Sequence, residues 1–128
     1  MEKINQIRCE NYKVYEILDQ KNSKFFVFAL SYEQAINIYQ NSNITSIVIK
    51  EIKEIRQRGV LITSPKRDYV NIYQVAIPIE GFDSNSKIFY VYGNIKDIPE
   101  CFKKFKKLNS INLIENTTVL YEKTNKRL

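Results

Sequence analysis

Side chains suited to chemistry are scarce in this sequence. Its 128 residues include no histidine, which removes Ser-His-Asp triads, Cys-His dyads and imidazole metal ligands together. The two cysteines, Cys9 and Cys101, stand far apart with no CxxC spacing, and either would need a base other than imidazole to act as a nucleophile. The carboxylates Glu10, Glu16, Glu51, Glu54 and Asp68 could serve as a glycosidase-type acid and base only by meeting in space. Nothing in their spacing favours that over solvated strand and loop positions. The three glycines, Gly59, Gly81 and Gly93, form neither a GxGxxG nor a GxxxxGK phosphate cradle. The expectation is a protein that is not an enzyme, takes no cofactor or metal, and works by binding.

Groups suited to binding are better represented. Twenty Lys and Arg against fourteen Asp and Glu give a net charge of +6, which favours an anionic partner without naming one. Two basic clusters stand out. Arg56, Arg58, Lys66 and Arg67 gather around the middle of the chain, where planar guanidinium forks suit phosphate or carboxylate. Lys103, Lys104, Lys106 and Lys107 form a row that would usually serve solubility. Tyrosines on strands with one open face, Tyr73 and Tyr92 among them, suit a partner or ligand interface. The aromatic run from Phe89 to Ile95 resembles the first-strand submotif of an RNA-recognition motif, but too little chain follows it to build that domain.

These residues need elements to position them. Tyr12 to Leu18 and Lys24 to Leu30 read as strands of a hairpin around the turn-forming Asp19 to Ser23. Ser31 sits where a helix N-cap belongs, with Gln34 completing a capping box and Tyr32, Ala35, Ile36 and Tyr39 at helical spacing. Ile44 to Arg58 is ambiguous: Ile47 and Ile49 suit a strand, while Val48, Ile52 and Ile55 with interleaved Lys and Glu suit an amphipathic helix. The strand is preferred, closing at Gly59. The stretch from Gly59 to Asp68, including Lys66 and Arg67, is then the natural subdomain boundary. Tyr69 to Ile79 alternates at period two and forms a second hairpin with Lys87 to Tyr92, through the loop Glu80 to Ser86. Asp97 with Glu100 and Pro99 opens a second helix whose apolar stripe is Ile98, Phe102, Phe105 and Leu108. Ser110 to Glu122 is extended, and Lys123 to Leu128 is a basic tail.

The whole predicts a single α+β domain over residues 1–128. A mainly antiparallel sheet of six or seven strands carries two helices on one face, as two ββαβ-like halves, 11–58 and 69–122. The apolar strand rows leave room for a homodimer. No apolar run approaches the roughly 20 residues that span a bilayer, and the cysteines read as reduced thiols of a cytoplasmic protein. Ile, Lys, Asn and Tyr, rich here and encoded by AT-rich codons, suggest a low-GC bacterial or phage genome. The first functional expectation is an inhibitor-like binding protein acting stoichiometrically on a macromolecular target. The alternative is a nucleic-acid or nucleotide binder using the basic face.

Overall fold

The computed structural model is α+β, with seven strands, two α-helices and mixed strand pairing among the described residues. It describes residues 7–42, 48–64, 68–79, 82–105 and 107–122, with the backbone alone for 82–85. The chain divides into two compact units. One, Lys13–Gln57 with Thr117–Leu128, contains α1 (Tyr32–Gln40); the other, Met1–Tyr12 with Arg58–Asn116, contains α2 (Ile98–Cys101). They are called here the α1 unit and the α2 unit. The strands β1 (Arg8–Asp19) and β3 (Ile49–Thr63) each contribute residues to both.

In the α1 unit, β1 pairs antiparallel with β2 (Lys24–Ala29), placing Val14 opposite Phe28 and Ile17 opposite Phe25. Asp19 makes the turn between them: its buried Oδ1 accepts from the backbone N–H groups of Lys21 and Ser23 at 2.9 and 2.8 Å. This is the side-chain mimic of a backbone turn for which Asp is suited. The other edge of β2 takes β7 (Thr118–Tyr121) in parallel, Val27 opposite Leu120. Residues of one parity, Tyr15 and Ile17 on β1 and Phe25, Val27 and Ala29 on β2, form a core with Leu120 under Ala35 and Tyr39 of α1. Ser31 caps that helix, its Oγ accepting from Gln34 N–H at 3.1 Å. The Gln34 amide oxygen accepts from Leu30 N–H at 2.6 Å, one residue further back than a regular capping box reaches.

In the α2 unit, β4 (Val70–Ile79) is flanked by two antiparallel partners, β5 (Phe82–Asn94) and β6 (Ser110–Leu113). Across them Phe89, Val75 and Ile111 lie in one row. The end of β3 joins β5 in parallel, Val60 opposite Val91. The period-two face of Tyr73, Val75 and Ile77 is buried with Val60, Ile62 and Val91 beneath Ile98 and Phe102.

Several expectations change. The pairing is mixed because β7 and the end of β3 each run parallel to a neighbour. The ambiguous segment is strand throughout from Ile49, carried straight through Gly59 to Thr63, and the division between the two units falls inside that strand, between Gln57 and Arg58. Its isoleucines repeat at a spacing that also suits a helix, but Ile49 and Ile52 pack against the α1 core while the backbone remains in the ladder. The second helix is one turn, preceded by a 3-10 turn over Ile95–Asp97. Asp97 makes no capping bond. Asn94 does so instead, accepting from Lys96 N–H at 2.9 Å while its amide donates to the Asp68 carbonyl at 2.7 Å. The final extended segment is two strands, β6 and β7. Cys9 and Cys101 are joined as a disulfide, Cα atoms 5.9 Å apart, in place of the expected free thiols. Ile44, Ile47, the loop residues Glu80 and Gly81, Lys106 and the tail from Lys123 lie outside the described residues. No helix among the described residues is long and apolar enough to cross a membrane.

Candidate functional site

The described residues singled out for binding are divided between the two units. Arg56, half-buried, belongs to the α1 unit, and exposed Arg58 to the α2 unit; Lys66 and Arg67 lie outside the described residues. Tyr73 is only 5% exposed and serves the α2 core, because its parity on β4 turns it to the same side as Val75 and Ile77. Tyr92 is half-buried on β5. Lys103, Lys104 and Lys107 are exposed, and Lys103 is already engaged, its ammonium 2.9 Å from Glu100. That contact raises the Lys103 pKa, first through the hydrogen bond and then through the carboxylate charge.

Around the end of α2 the structure gathers a set the sequence did not assemble. Phe102 sits edge-on to Phe89, ring centroids 5.1 Å apart, and Phe105 closes the trio at 6.2 Å from Phe89 and 5.9 Å from Phe102. Two ammonium groups approach the Phe105 ring: Lys104 at 5.4 Å and Lys87, from β5, at 6.0 Å. Such contacts place positive charge against the negative face of the ring. Among the described residues, no carboxylate lies within ion-pair distance of Lys87 or Lys104. The Asn109 amide donates to Ser86 Oγ at 3.2 Å, so the chain either side of Lys107 is fastened to two consecutive residues of β5. A second pair of this kind stands where β4 begins: Lys96 lies 5.2 Å from the Tyr69 ring centroid. Tyr69, expected on the inner face of a strand, has φ 63° and is 60% exposed. For a bulky residue that left-handed backbone is uncommon.

The α1 unit presents a different surface. Tyr32, expected on the buried stripe of its helix, is 47% exposed, and Leu30, two residues earlier, is 60% exposed. Tyr32 is nonetheless held. Its ring packs edge-on to Tyr15 with centroids 4.9 Å apart, and its hydroxyl accepts from Glu54 N–H at 3.3 Å. Burial, then the Glu54 charge and Tyr32, raise the pKa of Tyr15 above its usual 10.0. Glu16 on β1 receives both Lys24 and Lys53 at 3.6 Å.

Among the described residues no three acidic or cysteine side chains are grouped so as to hold a metal ion. No protein-family model matches the chain, and no curated protein or solved structure matches it either.

Proposed function

We propose that this chain is a small non-enzymatic binding protein that acts stoichiometrically on a protein target, with the corner of the α1 unit at Leu30, Ser31 and Tyr32 as its contact. One observation carries the reading: Tyr32 is fixed by a ring contact and a hydrogen bond, yet about half of it faces solvent beside an exposed leucine. A rigid aromatic loses little conformational entropy on binding, and tyrosines of this kind are enriched among residues that dominate interface energy. The neighbouring strand β7 ends the strand order of this unit, offering backbone groups for strand addition alongside the same corner. A cytoplasmic location, expected from the cysteine content, fits poorly with the Cys9–Cys101 disulfide, since cytosolic thiols are generally kept reduced.

The test is to incubate the tagged protein with an extract of its source cells and weigh the isolated complexes by native mass spectrometry. A partner bound in fixed ratio is expected, with affinity falling roughly thirtyfold or more in Tyr32→Ala and in Leu30→Asp, as for an interface hot spot. Retention of the partner by both variants would reject this corner as the contact. Discovery of a turnover that disappears with a single carboxylate substitution would reject the non-enzymatic reading altogether.

A further inference from the structure

A second surface, on the α2 unit, carries chemistry that the Leu30 and Tyr32 corner lacks. We infer that Lys87, Lys96, Lys104 and Lys107, together with the Tyr69 and Phe105 rings, form a track for the phosphate backbone of single-stranded nucleic acid.

The track follows from the way β5 and α2 are joined. Lys87 stands opposite Ile77 on β4, and Asn94, at the far end of β5, stands opposite Val70. Seven residues of strand separate them, about 23 Å at a rise of about 3.3 Å per residue. The 3-10 turn and α2 begin after Asn94, and the chain following α2 brings Phe105 back to Lys87. Lys96 and Tyr69 therefore mark one end, and Lys104, Phe105 and Lys87 the other, with Lys107 held near the second by the Asn109 to Ser86 bond. The acidic side chains between these ends are largely occupied or withdrawn: Glu100 is paired with Lys103, and Asp97 Oδ2 is buried away from solvent.

Among the described residues none of these four lysines has a carboxylate within ion-pair distance, so their positive charge is left available to an anion. Surface lysines serving solubility are normally dispersed, whereas two here converge on one ring. Cations beside aromatic rings are the elements by which single strands are held without sequence preference, the cations taking phosphates and a ring face stacking on a base. Here Tyr69 is the exposed ring, while half-buried Phe105 serves to hold Lys87 and Lys104 together. A single strand is favoured over a duplex because the helix beside these lysines, α2, is four residues long, too short to lie in a groove. A span of about 23 Å suits several nucleotides, within the range of about 4 to 16 nucleotides known for small single-strand binding folds.

The experiment is a fluorescence titration of the disulfide-intact chain against a labelled mixed-sequence single-stranded DNA of about 12 nucleotides, at about 50 and 200 mM salt. Four phosphate contacts at about 0.7 counterions each predict a roughly fiftyfold loss of affinity between the two salts. The Lys87, Lys96, Lys104 and Lys107→Gln quadruple variant should lose the binding, and the same four positions changed to Arg should keep it. The first variant must retain the wild-type circular dichroism. Tyr32→Ala should bind the DNA as wild type does, so failure here and failure of the proposed protein contact are separate results. Competition by a duplex of the same length should be at least tenfold weaker, and inorganic phosphate at equal charge should compete poorly. Absence of binding at the lower salt, equal binding by the Gln variant, or equal affinity for the duplex would each overturn the proposal.

Discussion

The two units solve the same structural problem with different means. Each packs a helix over alternate residues of a strand ladder, and each uses one buried polar side chain to organise a turn: Asp19 in the α1 unit and Asn94 in the α2 unit. In the α1 unit a nine-residue helix with a Ser31 cap rests on an apolar face, and Glu16 receives two lysines. Local sequence suffices to specify most of this. The α2 unit has one turn of helix, too short to be stable by itself. Ile98 and Phe102 anchor it by burial, and the disulfide ties Cys101 to β1. On the α2 unit Lys87 and Lys104 converge on the Phe105 ring. The difference teaches that the unit with less local structure is held by long-range links.

Breaking the disulfide tests this contrast most severely. Cys9→Ser, or reduction of the wild type, releases a constraint across 92 residues of sequence and should cost about 2 to 5 kcal/mol of stability. Denaturant unfolding with and without reductant measures the cost, and hydrogen exchange should show protection lost first from β4, β5 and α2. Equal loss in both units would remove the distinction drawn between them.

Gly93→Ala probes close packing in the same unit. A Cβ there would lie 2.6 Å from Ile62 Cβ, where β5 runs beside β3, so one strand must shift. Overpacking of this kind should lower stability by about 1 to 3 kcal/mol, read from the denaturation midpoint. The cap of α1 offers the counterpart. Ser31→Ala removes the acceptor for Gln34 N–H and should cost about 1 kcal/mol, with increased exchange confined to the first turn of that helix.

The gentlest probe is alkaline titration of the α1 unit. The folded state holds the Tyr15 proton more tightly than the unfolded chain does, because burial and then the Glu54 charge disfavour the phenolate. Its raised folded pKa therefore adds stability that is fully present below the ordinary 10.0 and disappears as pH rises through the folded value. Stability measured across that window should fall less in Tyr15→Phe than in wild type. Parallel decline in the two proteins would show that Tyr15 contributes nothing to the alkaline limit.

Much of the architecture was legible from local patterns. Asp19 to Ser23 carried the turn, Ser31 the cap, and the period-two run from Tyr73 to Ile77 a strand, although Tyr73, expected to suit an interface, lies in the core with Val75 and Ile77. Tyr32 and Tyr69 were misplaced because helical and strand periodicity describe element interiors, and both residues sit at element ends. Lys104 and Lys107 were recognised as a basic row, but their relation to Lys87 was not. That relation depends on the returning chain that sets Phe105 beside β5.

Composition and spacing by themselves determined that this chain lacks histidine chemistry, forms hairpins and helices of mixed class, and carries excess positive charge. These follow from residue identity and from periods of two and 3.6 residues, which need no knowledge of distant contacts. Only the tertiary structure decided the pairing of Cys9 with Cys101, the parallel partners of β2 and β5, the continuation of β3 through Gly59, and the convergence of lysines on Phe105. Each joins residues far apart in sequence, where the free energy of contact depends on how the intervening chain folds.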